Sequence, residues 1–201
     1  MRRLWARLDR ETRHHHADAD RFWFALVDGN RVPTESDYIN CLVRAYGFEG
    51  PLEAALAYTS KLEQLVDMNR RYRAGLIAQD LLMLGLSAPQ IARLPQAMIA
   101  PFARVGEALG WLYVRERATI AHAKVHRELV QRVSGLRDAT AYLSAYEGNL
   151  DKRIDDLALV IEDVSQSPVI EDRIVSAANE AFRTLLNWCE VERSVPMRTA
   201  S

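Results

Sequence analysis

Apolar residues recur every three or four positions along nearly the whole chain, and no stretch alternates convincingly as a strand would. That period commits the chain to α-helices, and its breakers divide them. The first helix covers about Arg3 to Val27 and stops at Asp28-Gly29-Asn30, a turn triplet. Thr34 is placed to cap a second helix, with Asp37 three residues on as a weaker capping-box partner. That helix is expected to run to about Tyr46 and break at Glu49-Gly50-Pro51, leaving Pro51 in the first turn of the next. A break near Gly85 precedes the S-x-x-Q capping pattern of Ser87 and Gln90. Pro95 and Pro101 punctuate the chain before a long helix that should end near Ser134-Gly135. Gly148-Asn149 separates the next two helices, and Ser167-Pro168 opens the last. There Ile170, Ile174, Ala178, Phe182, Leu185 and Cys189 form an apolar stripe. No repeat, low-complexity tract or linker interrupts this order. The expected architecture is one all-α domain over residues 1–195, a bundle of about seven to nine helices, with a frayed tail at 196–201.

A chain of 201 residues suits one compact domain with a substantial core. Its formal net charge of -1 exerts no pull toward nucleic acid or an anionic membrane. The run N-R-R-Y-R (Asn69 to Arg73) reads as a solvated helix face, and no recognised basic motif accompanies it. No stretch approaches the roughly 18 apolar residues of a membrane span. The opening M-R-R-L-W-A-R-L-D-R is too charged for a signal peptide, so a cytoplasmic location is expected. Cys41 and Cys189 match no C-x-x-C pattern and read as buried thiols.

Three consecutive histidines, His14, His15 and His16, lie in the first helix. Successive helical residues are about 100° apart, so the three fan over roughly 200° and cannot share one pocket. The apolar stripe of Leu4, Leu8, Ala19, Phe22 and Leu26 puts His15 near its centre, His16 at its edge and His14 outward. Periodicity alone slightly favours His15 as the inward one. Further on, His122 and His126 make an i, i+4 pair that reads by itself as exposed helix. With Glu116 they are too few for a two-metal bundle, and no E-x-x-H repeat is present.

Residues 109–125 read L-G-W-L-Y-V-R-E-R-A-T-I-A-H-A-K-V. This resembles the distal helix of the haem oxygenase family, whose bacterial members run approximately L-G-x-L-Y-V-x-E-G-x-T-x-G-G. Leu109, Gly110, Leu112, Tyr113, Val114, Glu116 and Thr119 keep the frame. The three family glycines fall on Arg117, Ala121 and His122. Tyr46-Gly47-Phe48 with Pro51-Leu52-Glu53 is similar to the Y-x-F-x-x-P-L-E segment of the biliverdin-producing, phytochrome-associated bacterial type. Asp80-Leu81 with Leu84-Gly85, and the ending A-F-R-T-L-L-N-W (Ala181 to Trp188), follow in the family's order. The resemblance extends from about Leu4 to Glu190.

The resemblance implies a single-domain haem oxygenase-like bundle that holds haem b (iron protoporphyrin IX) between the first and distal helices. The family's T-x-x-x-H pattern picks out Thr12 and His16, with an acidic residue, Asp20, four places later. His16 is thus implied as the iron ligand. Lys152 and Arg153 are the nearest equivalents of the family's propionate anchors, although in their own context they read as solvated charges. In the family, distal glycines bring backbone close to the haem face, leaving room for dioxygen. Ring opening to biliverdin, CO and iron then draws electrons from a ferredoxin or reductase. Here an arginine at 117 either fills that room or swings out to a propionate. Arg117 and Ala121 share a helix face, while His122 lies about 140° from Arg117 and needs a bent helix to reach the same pocket. Bound to iron, it would make haem six-coordinate. Three readings therefore stay open. One is a haem-cleaving enzyme, one a haem- or bilin-binding protein without turnover, and one an inert interaction module. Partners are haem or a bilin, an electron donor if the chain is active, and a second copy in a homodimer. Neither nucleic acid nor a membrane is expected.

Overall fold

The structure is a computed structural model that describes residues 2–29 and 31–194, the side chains of 134, 137 and 191–194 apart. The expected tail at 196–201 lies outside the described residues. The eight α-helices among them are α1 (Arg3–Phe24), α2 (Glu35–Ala57), α3 (Leu62–Leu65), α4 (Ala74–Met83), α5 (Ala88–Ile91), α6 (Val105–Arg132), α7 (Leu150–Val164) and α8 (Pro168–Ser194). Short 3-10 turns fill Met68–Arg70 and Ser134–Ala139. No described residue is in a strand, so the all-α reading holds. No described helix is long and apolar enough to cross a membrane.

Local chemistry sets the boundaries. The Asp37 amide donates to Thr34 Oγ1 at 3.1 Å, and the Thr34 amide donates to Asp37 Oδ2 at 2.8 Å, completing the box at the start of α2. Ser87 and Gln90 do the same for α5. Gly85 stops α4 with φ +90°, a backbone state its missing Cβ permits, and the Leu86 amide reaches back to the Leu81 carbonyl.

The expected break in the second helix is absent: α2 runs unbroken to Ala57 with Pro51 inside it. Proline has no N–H, so the carbonyl four residues earlier, on Gly47, loses its helical partner. The Ala97 amide, from the loop between α5 and α6, takes that carbonyl at 2.7 Å. Gly47 admits the loop because it lacks a side chain; a Cβ there would sit 2.5 Å from the Pro95 carbonyl oxygen. The proline is offset by a tertiary hydrogen bond rather than by ending the helix.

Helix α6 is the axis of the molecule. Residues Ala108 to Glu116 are buried on every face, with α8, α1 and α7 packed around them. The seven positions that carry the family frame all lie in this buried stretch or just past it, at Thr119. At the closest crossing Gly110 abuts the backbone of α8 around Ile174 and Ala178. The α8 stripe closes on the core as its periodicity requires, with Ile174, Ala178 and Phe182 fully buried. Ion pairs from Arg3 and Arg7 to Glu171 fasten the start of α1 to that of α8.

Candidate functional site

Helix α1 brings its histidines against α8. His14 is exposed, as its position on the helix predicted. His15 stacks on Phe182 with ring centres 5.4 Å apart, and His16 lies 5.5 Å from the same ring. Both inward candidates therefore reach one α8 side chain. His16 is the more enclosed chemically. Its Nε2 is 2.9 Å from Thr12 Oγ1, and its Nδ1 is 3.9 Å from Asp9.

The Thr12 hydroxyl already donates to the Leu8 carbonyl at 2.8 Å, so it accepts from the imidazole and Nε2 carries the proton. Coordination of a metal through Nε2 requires that proton on Nδ1, the nitrogen that faces Asp9. Burial, with Arg117's charge as a second cause, pulls the His16 pKa down to about 4, so at neutral pH the ring is an uncharged potential ligand. His16 has the ionisation state a haem ligand needs, held in a hydrogen bond that ligation would have to exchange.

Arg117 spans the seam between α6 and α1. Its two terminal nitrogens bind the two carboxylate oxygens of Asp20 at 2.8 and 2.9 Å, a bidentate pair with both side chains largely shielded. About two turns further toward the N-terminus of α1, Tyr113 meets Thr12 at 3.4 Å and packs edge-on against Trp5. These contacts close the α1–α6 seam at the level of His16. Past the ion pair a cavity of about 240 Å³ opens between α1, α2, α6 and α8. That is just below the range of roughly 300–1,000 Å³ usual for small-molecule sites. Phe22, Trp23, Phe48 and Phe182 give it aromatic walls, and Arg117 stands at its edge.

Ala121 is buried, and α6 passes through it without interruption. His122 is only 2% exposed, not the surface residue its i, i+4 pairing suggested. The segment after α6 folds back over it because Asp80 accepts the amides of Ala141 and Tyr142, each at 2.9 Å. This presses Tyr142 against His122 at 4.9 Å, with Trp23 of α1 at the same distance on another side. His122 lines a second cavity of about 120 Å³ with Thr119, Tyr142 and Tyr146. Neither His16 nor His122 lines the larger cavity. His126 borders the smaller one and pairs with Thr140 at 3.1 Å. Among the described residues no group of three or more His, Cys, Asp or Glu could hold a metal ion.

Lys152 and Arg153 line a third depression, with Leu65, Asp67, Arg70 and Arg71. Arg153 lies 4.1 Å over the Tyr146 ring and donates to the Arg70 carbonyl. The structure thus gathers His16, Arg117 and Asp20 at one seam and leaves Lys152 and Arg153 in another groove.

The sequence reading missed a buried ionic cluster behind the aromatic-walled cavity. Arg73 and Arg71, read above as a solvated run, are buried, while Arg70 stays exposed. Arg73 binds Glu49 at 2.8 Å, Arg115 binds Glu49 at 2.6 Å and also Glu53, and Arg71 pairs with Glu116 at 3.2 Å. Tyr142 donates to Glu49 and Tyr146 to Glu116, each at 3.1 Å. The available signal was Arg115-Glu116 directly after the apolar run Ala108 to Val114 of α6, since a charge on a buried turn needs a partner.

Burial and the charge of Arg73 hold the His122 pKa down to about 3, against an ordinary 6.5. As pH falls below 6.5, the unfolded chain gains a proton at this position while the native state does not. Stability is therefore lost on acidification, at up to about 1.4 kcal/mol per pH unit, until pH approaches 3. Replacing His122 with leucine should reduce the stability lost between pH 7 and pH 5 by about 2 kcal/mol. Urea unfolding of both proteins at the two pH values checks this, and equal losses would contradict it.

No curated protein sequence matches the chain. The fold is similar to that of the NO- and CO-bound heme oxygenase from Neisseria meningitidis, with a TM-score of 0.73 at 17% identity, covering 98% of this chain and 94% of that one. At that identity the likeness is one of fold. The sequence model described as heme oxygenase matches residues 2–191, nearly end to end, and the chain therefore belongs to the haem oxygenase family.

Proposed function

We propose that this protein binds a tetrapyrrole in the seam between α1, α6 and α8 and does not open its ring. The observation that carries this reading is the Arg117–Asp20 pair, which puts a guanidinium where the family has a glycine and ties it to α1. The donor set suits haem: His16 is uncharged at neutral pH, beside the apolar wall of Phe182. Haem, when bound, supplies iron redox chemistry; the residues of this chain decide what reaches it. His16 would hold the iron after giving up its bond to Thr12. Arg117 would have to leave Asp20 before the ligand could enter the seam. With side chains at 117, 121 and 122, α6 lacks the bare backbone by which the family makes space on the open face.

Haemin titration should give a sharp, saturable Soret band that is altered by His16→Ala. With ascorbate or a ferredoxin system, no biliverdin should accumulate. Opening the partly shielded pair costs about 1–2 kcal/mol, so Arg117→Gly should bind haemin on the order of tenfold more tightly. Biliverdin formed over many turnovers by the parent protein would overturn the non-cleaving part. Absence of a specific Soret band in both parent and Arg117→Gly would overturn binding.

A further inference from the structure

Helix α4 has the composition of a helix buried on every side, but only one side of it is covered. Ile77 and Leu81 are fully buried where α4 packs against α2 and the Ser134–Ala139 turn, and Leu76 and Ala78 on its flanks are half-buried. Its one charged residue, Asp80, is also fully buried and is spent on the amides of Ala141 and Tyr142. The outward side carries Gln79, Leu82 and Met83, and the last two are 50% and 59% exposed. Helix α7 shows the ordinary pattern: it too buries one side, and it turns Asp151, Lys152, Asp155 and Asp156 to water.

The uncharged surface extends beyond the helix. Between Arg70 and Arg93 no charged side chain is exposed, because Arg71 and Arg73 turn inward to Glu116 and Glu49 and Asp80 is covered. In a chain that is 26% charged, a surface run of this length without a charge needs a physical cause. Ser87, Ala88, Pro89 and Gln90 continue it past the Gly85 stop, with Leu84 and Leu86 half-buried beside them. A ten-residue helix is only about 15 Å long, so this continuation is what brings the patch toward the roughly 800 Å² per partner of a stable interface.

Charge decides which partner fits. A face made for an acidic or a basic protein displays the opposite sign. A face made for a bilayer is ringed by Lys and Arg, and here Arg71 and Arg73 point the other way, into the ionic cluster. A two-fold axis sets a face against the same face of a second copy, so an exposed charge there approaches its own like. A surface with none is complementary to itself, and a charge-free centre containing Met is the composition of an interface core. We propose that this chain forms a two-fold dimer through the outward side of α4, with Leu82 and Met83 of each copy at its centre. No α4 residue lines the aromatic-walled cavity, so the dimer does not depend on a tetrapyrrole.

Sedimentation velocity on the full chain, from about 1 to 100 µM, tests this. The modest patch sets a dissociation constant on the order of 1–10 µM. Leu82→Glu and Met83→Glu each bury an unpaired charge in the dimer and should weaken association by about a hundredfold or more. Both residues are largely exposed in one copy, so the fold withstands the change, and far-ultraviolet circular dichroism verifies this. Val169→Glu, at an apolar residue of α8 that is 66% exposed, is the control and should leave the dimer unchanged. A parent chain that stays monomeric at the highest concentration overturns the proposal. So does a dimer that survives both α4 changes, or one that dissociates equally with Val169→Glu. A monomeric parent that co-sediments with vesicles of phosphatidylcholine and phosphatidylglycerol, and is released by Leu82→Glu, overturns it by assigning the face to a membrane.

Discussion

Replacing Gly110 with alanine should cost about 3 kcal/mol or more and lower the midpoint of thermal unfolding by about 10 °C. A Cβ at 110 would lie 2.4 Å from the Ile174 carbonyl oxygen, 2.8 Å from the Ala178 amide nitrogen and 2.8 Å from the Ala177 methyl. Two of these are backbone atoms inside α8, which cannot turn aside as a flexible side chain can. Relief would require α6 and α8 to separate along the most extensive helix contact in the molecule. Gly75, where a Cβ would meet nothing within 4 Å, provides the contrast. It sits in α4, so alanine there should be neutral to stabilising by up to about 1 kcal/mol. Thermal unfolding followed by circular dichroism ranks the two variants. Equal midpoints would show that the α6–α8 crossing is looser than this spacing implies.

The same glycine shows what the sequence could and could not disclose. The frame that made residues 109–119 resemble a distal helix is buried structure throughout, so the resemblance reported the fold. Capping boxes at Thr34 and Ser87, the stop at Gly85 and the stripe of α8 were legible because each depends on residues three or four apart. The break at Pro51 was misread because its compensation, the Ala97 amide, lies some fifty residues away. His122 was misjudged for a related reason: what buries it is a segment fixed by Asp80, on another helix. The Arg117–Asp20 pair and the ionic cluster join positions tens of residues apart, beyond the reach of any helical period. Thr12 and His16 illustrate both cases. Their i, i+4 spacing predicted proximity, whereas the direction of the hydrogen bond between them depends on Leu8's carbonyl being taken as well.

Glu49→Ala should be the most damaging single change in the polar interior, destabilising by about 3–5 kcal/mol. Glu49 is buried and receives hydrogen bonds from Arg73, Arg115 and Tyr142. Without it, the buried Arg73 guanidinium loses its salt-bridge partner and the Arg115 guanidinium keeps only Glu53. The loss is a large fraction of the roughly 5–15 kcal/mol by which domains are stable. The cost arises from stranding charge rather than from losing attraction, and a second variant separates the two. Glu49→Leu combined with Arg115→Met removes one charge of each sign, where Glu49→Ala removes only the negative one. That double variant should be more stable than Glu49→Ala by about 2 kcal/mol or more, although it lacks one more charged residue. Acid provides a check on the parent protein. Burial raises the Glu49 pKa, but the charges of Arg115 and Arg73, with hydrogen bonds from Arg115 and Tyr142, outweigh it and hold the carboxyl below its ordinary value. A depressed carboxyl contributes stability that is full above the unfolded value near 4.5 and disappears as pH falls through the folded one. Chemical denaturation at pH 7, 5 and 4 should therefore show Glu49→Gln losing less on acidification than the parent below about pH 4.5. If the double variant proves no more stable than Glu49→Ala, stranded charge is not what makes this residue necessary.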